Sequence, residues 1–200
     1  MLVLALAERL GRLDVALIAA KRAAVDGVPL LAPGFPLIAL PRAGTAEEPL
    51  VLALTRQESG FDAQAVSRND ARGLTQLLPS TAKALAKSLG QPFSRDRLLS
   101  DPDYNLALGR AYLGKMLDKF AGSYVLAVAA YNAGPARVGQ WVEAHGDPRG
   151  QKLDAVLDWI ELVPFTETRN YVQRVLENLE IYRLRLGDPR AFTLADDLMR

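Results

Sequence analysis

The amino-acid sequence predicts an all-α protein, and three features carry that prediction. Leu and Ala, both strong helix formers, supply about a third of the 200 residues, while β-branched residues are sparse. Apolar positions recur at three- and four-residue spacing over long stretches. Several prolines and glycines sit at the ends of these stretches, where helices start and stop.

Residues 2 to 24 place Leu6, Leu10, Leu13 and Leu17 at helical spacing, with Glu8, Arg9, Arg12, Lys21 and Arg22 on other faces. Between Gly27 and Pro49 come five prolines and three glycines, so this stretch reads as a connector packed by Leu30, Leu31, Phe35 and Leu37. A helix is predicted from Glu48 to Ser59, stopped by Gly60. Residues 60 to 78 are irregular, and Pro79 then opens a helix to Leu89. Asp101-Pro102 opens another, carrying Tyr104, Leu108, Tyr112 and Met116 at four-residue spacing. Ser123 precedes a short apolar helix from Tyr124 to Tyr131, which Asn132-Ala133-Gly134-Pro135 breaks. Pro135 starts the next helix towards His145, shorter pieces follow, and a long helix runs from Phe165 to Leu186. The expected organisation is an N-terminal helix and Pro-rich connector over 1–46, then a compact helical domain over 47–200.

Composition narrows the chemistry. With no Cys there is no disulfide, thiol nucleophile or iron–sulfur site, and a single His excludes a metal centre needing two imidazoles. No metal and no cofactor are expected. Lys plus Arg number 24 against 23 acidic residues, with no long run of either sign, which argues against nucleic acid as a partner. The apolar start, Met1 to Ala7, is too short to span a membrane and lacks the basic region of an export signal. What remains is work for carboxylates, hydroxyls and amides.

Glu58 is the leading candidate. It ends a helix whose Val51 and Leu54 are expected to be buried, and apolar surroundings together with the negative helix end favour the protonated acid. A carboxylic acid kept neutral near pH 7 is what protonation of a glycosidic oxygen requires. By its position alone, Glu58 reads more readily as a solvent-facing residue at a helix terminus. An ordinary glycosidase would need a second carboxylate. Asp62 reads as a turn residue, Asp70 as an exposed loop residue and Glu161 is remote, so none is a convincing partner from spacing. Tyr131-Asn132 before the Gly-Pro break could set a phenol and an amide at a groove wall, or be a core aromatic and a helix cap. Tyr171, Tyr182, Trp141 and Trp159 read as core, and His145 as a helix-end residue.

Taken together, five strings resemble the catalytic domain of the soluble lytic murein transglycosylases, a lysozyme-like fold related to goose-type lysozyme. They are Arg56-Gln57-Glu58-Ser59-Gly60-Phe61-Asp62, Ala65-Val66-Ser67, Ala71 to Pro79, Ala129 to Pro135, and Glu161 to Phe165 with Glu167 to Val172. Order and spacing both fit, from about residue 49 to 185. Residues 1 to 46 resemble, more loosely, the end of the α-superhelical region that precedes this domain in larger members.

The resemblance implies cleavage of the β-1,4 bond between N-acetylmuramic acid and N-acetylglucosamine in peptidoglycan, with a 1,6-anhydromuramoyl product. Glu58 would be the single acid and base, helped by the substrate's own acetamido group, which accounts for the missing second carboxylate. It implies that Ser67, Gln76, Tyr131 and Asn132 contact the glycan, and that Leu78, Glu161 and Tyr171 shape the groove. Members commonly carry Met where this chain has Thr75 and Leu78. Leu78 keeps the wall apolar, whereas Thr75 shortens and polarises its position, with a consequence for substrate fit. The implied partner is the peptidoglycan glycan strand, the implied location periplasmic or otherwise exported, and the expected state a monomer. A hydrolytic muramidase using Asp62 or Asp70, and a non-catalytic glycan-binding domain, are the alternatives.

Overall fold

The computed structural model describes residues 2–200. Among the described residues there are twelve helices and no strand: α1 Leu2–Arg9, α2 Leu13–Val25, α3 Leu31–Gly34, α4 Glu48–Glu58, α5 Pro79–Ser88, α6 Arg97–Ser100, α7 Pro102–Lys119, α8 Tyr124–Ala133, α9 Pro135–His145, α10 Leu153–Leu162, α11 Thr166–Leu186 and α12 Leu194–Leu198. The helix ends follow local chemistry. Pro79, Pro102 and Pro135 each begin a helix, where a missing N–H costs nothing. The Ser123 hydroxyl accepts the Leu126 N–H as the cap of α8, and Gly187 ends α11 in the left-handed region at φ 67°.

One expectation fails at the start of the chain. The leucine rhythm over residues 2 to 24 does not make a continuous helix, because Gly11 takes φ 64° and separates α1 from α2. Leu6 and Leu10 stay exposed while Leu17 is buried, so the rhythm marks a buried face only beyond the break. The proline-rich connector holds one helical turn, α3.

The chain divides into two compact units, passing from one to the other after Arg42, within α4 and within α7. The first comprises residues up to 42 and 54–109. There α2 packs against α1 and α3, and Leu17 of α2 meets Gly60, where a Cβ would lie 3.2 Å from its Cδ2. Arg56 of α4 donates to the Gly34 carbonyl at 2.8 Å and lies 4.0 Å over the Phe35 ring. The end of α4 is thereby seated on the connector.

The second unit comprises residues 43–53 and 110–200. Its centre is α8, whose residues Tyr124 to Tyr131 are all buried, as an all-round apolar helix requires. α9, α11 and α12 pack around it. Arg183 of α11, with no exposed side-chain surface, gathers Glu47 at 2.8 Å, Glu180 at 3.1 Å and Asp197. Glu47 also accepts from the Tyr124 hydroxyl at 2.9 Å and pairs with Arg190 at 2.6 Å. Burial opposes the Arg183 charge, but the bonds it donates to Asp197 and Glu47 outweigh it and hold the guanidinium above its ordinary pKa. This cluster folds the C-terminal segment back and fixes the residue that precedes α4.

Candidate active site

Glu58 is the last residue of α4 and is half-buried, one turn beyond the buried Leu54. Two successive left-handed residues, Gly60 at φ 60° and Phe61 at φ 67°, turn the chain sharply after it. The Ser59 hydroxyl stabilises the turn by accepting the Phe61 N–H at 3.2 Å and donating to the Leu74 carbonyl at 2.8 Å. That second bond ties the acid's own end of α4 to the segment that carries Gln76.

Residues 62–78 look irregular in sequence but are closely hydrogen-bonded. Arg72 and Leu77 exchange both backbone bonds, at 3.0 and 3.2 Å, which closes a tight turn over Gly73 to Gln76. Gln76 sits in the left-handed region at φ 48°, uncommon for a residue with a side chain. Its amide nitrogen donates to the Ala65 carbonyl at 3.1 Å and to the Gly73 carbonyl at 2.9 Å. Two carbonyl partners require the nitrogen on that side, so the group Gln76 can offer a ligand is its Oε1 acceptor. Ser67 is exposed, and its hydroxyl oxygen accepts the Asn69 and Ala71 N–H groups at 3.3 and 3.0 Å, which leaves its proton to donate. Leu78 precedes α5 and is 43% exposed.

Thr75 does not face a ligand. It is fully buried, its hydroxyl donating to Asn105 Oδ1 at 2.7 Å. The expected consequence of its polarity for substrate fit is therefore replaced by an internal role. Asp62 accepts the Gln64 N–H at 2.9 Å, the local turn bond its position suggests. Asp70 pairs with Arg72 at 2.7 Å and Arg95 at 3.0 Å, and Arg72 foremost holds its carboxyl below the usual range.

The other four expected residues lie in the second unit. Tyr131, near the end of α8, is buried with its ring 5.0 Å from that of Tyr112. Asn132 is half-buried, and its Oδ1 accepts the Thr168 hydroxyl at 2.7 Å. Thr168 and the buried Tyr171 are one turn apart on α11, and α11 holds Asn132 through Thr168. Glu161 is exposed on α10, accepting from Gln173 at 3.2 Å with Arg169 at 3.9 Å. Trp141, Trp159 and Tyr182 are core residues, as their helical positions suggest. Ser59, Asn105 and Thr168 escaped the sequence reading. Ser59 and Thr168 lie within recognisable strings, and only Asn105 carries no local signal.

Among the described residues no three His, Cys, Asp or Glu side chains are grouped to hold a metal ion, and no helix is long and apolar enough to cross a membrane. The family model described as the transglycosylase SLT domain matches residues 38–153. The chain belongs to the transglycosylase SLT domain family. This SLT domain is followed by a match of residues 162–190 to the soluble lytic transglycosylase helical domain. It is 38% identical over 138 residues to the soluble lytic murein transglycosylase of Escherichia coli K12, covering 68% of this chain and 21% of that protein. The SLT domain chain thus spans about a fifth of the length of the soluble lytic murein transglycosylases it matches. The crystal structure of the 70 kDa soluble lytic transglycosylase from Escherichia coli superposes with a TM-score of 0.81 at 29% identity, over 99% of this chain and 31% of that one. An inactive glutamate-to-glutamine mutant of lytic transglycosylase Slt from Pseudomonas aeruginosa gives 0.81 at 37% identity, over 99% and 32%. The all-α transglycosylase fold expected from the motifs is the fold observed.

Proposed function

We propose that this SLT domain cleaves the β-1,4 bond between N-acetylmuramic acid and N-acetylglucosamine in peptidoglycan, leaving a 1,6-anhydromuramoyl end, with Glu58 as the single acid and base. One observation carries the proposal: the Ser59 bond to Leu74, which couples the Glu58 end of α4 to the turn bearing Gln76. Glu58 protonates the leaving glycosidic oxygen while the acetamido oxygen of the muramoyl residue supports the anomeric carbon. The Glu58 carboxylate then takes the proton of the muramoyl 6-hydroxyl, whose oxygen closes the anhydro ring, and the acid is regenerated.

Gln76 accepts a hydrogen bond from a glycan hydroxyl or acetamido N–H, and Ser67 donates one. Leu78 supplies apolar wall. Tyr131 and Asn132 orient the acetamido region, with Glu161 and Tyr171 supporting them. Asp62 and Asp70 are engaged in local bonds, which favours a one-carboxylate reaction over hydrolysis with a second acid. Glycan strands as substrate imply work in the periplasm or outside the cell, by a monomer. Residues 1–46 form the helical lead-in and 47–200 the catalytic module.

Incubation with purified sacculi and mass spectrometry of the products tests this reading. Anhydromuramoyl ends are expected, and free reducing muramic acid in their place overturns it. Glu58→Gln should lower turnover by about 10²–10⁴-fold, the range of a lost general acid.

A further inference from the structure

We propose that Asn105, on α7, is a positioning residue that sets the Gln76 turn and acts on the glycan through Gln76; this rests on the assignment of Gln76 to glycan binding above. Asn105 is fully buried, and every hydrogen-bonding group of its amide is used. Oδ1 accepts the Thr75 N–H at 2.9 Å and the Thr75 hydroxyl at 2.7 Å. Nδ2 donates to the Arg72 carbonyl at 2.9 Å and the Leu98 carbonyl at 3.0 Å. One side chain therefore holds both the entry of the turn, at Arg72, and the residue immediately before Gln76.

Two glycines make that grip close. A Cβ on Gly73 would lie 2.4 Å from Asn105 Nδ2 and 2.1 Å from the Leu98 carbonyl oxygen, and one on Gly109 would lie 2.4 Å from the Thr75 hydroxyl. The turn thus lies against α6 and α7 with no room for another atom. Gln76 needs this support, because its left-handed backbone persists only where its surroundings over-determine it. Once it is so held, its amide nitrogen meets Ala65 and Gly73 and its oxygen is left to the ligand. Neither isostere of Asn105 keeps all four bonds at neutral pH. Leu offers no polar group, and an ionised Asp would set a negative oxygen against the Arg72 and Leu98 carbonyls.

The test is a double-mutant cycle on soluble glycan strands, with anhydromuramoyl release as the rate. Gln76→Ala and Asn105→Ala are each expected to lower kcat/KM by about tenfold, chiefly through KM, as a lost buried hydrogen bond does. The double variant should be no worse than the weaker single. A double loss equal to the product of the two, about a hundredfold, overturns the positioning role while leaving Gln76 in the site. Wild-type kinetics in Gln76→Ala overturns the assignment of Gln76, and the proposal with it. Thr75→Val keeps the shape and removes one bond to Oδ1, so it serves should Asn105→Ala not fold. It is expected to cost about threefold and again to add nothing to Gln76→Ala. Asn105→Asp supplies a readout that simple space-filling would not move. Its activity relative to wild type should be highest at acid pH, where the carboxyl can donate, and should fall as pH rises. A ratio independent of pH overturns the proposal.

Discussion

Asn105 in the first unit and Arg183 in the second do the same structural job with opposite electrostatics. Each is fully buried, and each binds irregular chain to the helix that carries it. Asn105 is neutral, and its two acceptor and two donor sites are matched one for one. Arg183 brings a charge out of water and is answered by Glu47, Glu180 and Asp197, with Arg190 on Glu47 and Arg200 on Asp197 in turn. A neutral hub places its partners without sensitivity to pH. A charged hub holds more strongly once formed, loses more when one partner is removed, and answers to every titrating neighbour. The neutral hub lies beside the turn proposed to bind the glycan, where position matters most.

Four variants can break or sharpen this contrast. The largest effect is expected from Asp197→Ala, which leaves the buried Arg183 charge short of a partner and should cost about 3–5 kcal/mol in chemical denaturation. A loss no greater than that of an exposed ion pair would remove the distinction between the hubs. Gly73→Ala probes the neutral side. At φ 73° with a backbone oxygen 2.1 Å from the new Cβ, a destabilisation on the order of 3 kcal/mol is expected, together with loss of glycan cleavage. Retained activity in that variant would show that the turn tolerates displacement.

Ser59→Ala removes the bond to Leu74 and should cost about 1 kcal/mol. Its turnover, measured well below the melting temperature, should also fall, because the link between α4 and the Gln76 turn is lost. A change in stability with none in turnover would reduce Ser59 to a helix-end cap. The smallest effect belongs to Tyr124, whose phenol is pushed up to about 12 by burial and then by Glu47. A folded pKa above the ordinary 10.0 means that the folded chain keeps the proton longer, so this contribution is intact below pH 10 and is lost as pH rises to about 12. Melting curves from pH 8 to 12 should show that decline in wild type and a shallower one in Tyr124→Phe, itself about 1 kcal/mol less stable at neutral pH. Equal slopes would exclude Tyr124 from the alkaline response.

How much was legible in the sequence follows the range of the physics involved. Gly60, Pro79, Pro102, Ser123, Pro135 and Gly187 end or begin helices through their own backbone conformation or side chain, and their positions suffice to place α4, α5, α7, α8, α9 and α11. Leu6 and Leu10 misled because spacing registers a face without stating whether anything covers it, and Gly11 breaks the helix between them and Leu17. In the candidate site, Glu58, Gln76, Tyr131 and Asn132 stand in compact strings and could be singled out. Thr75 stands in the same string, but its burial is not legible there, since its partner lies thirty residues on.

The sequence by itself determined the helical class, the helix ends beyond the connector that carry a proline, glycine or serine signal, and the family, because capping, turn chemistry and motif order are written in neighbouring residues. Only the tertiary structure decided which polar groups are buried together. Asn105 reads as an ordinary helical residue until Thr75, Arg72 and Leu98 converge on it, and Arg183 as a surface charge until Glu47 arrives from 136 residues away. Burial and hydrogen-bond satisfaction belong to the packed chain, so the residues that hold the candidate site become visible only where distant segments meet.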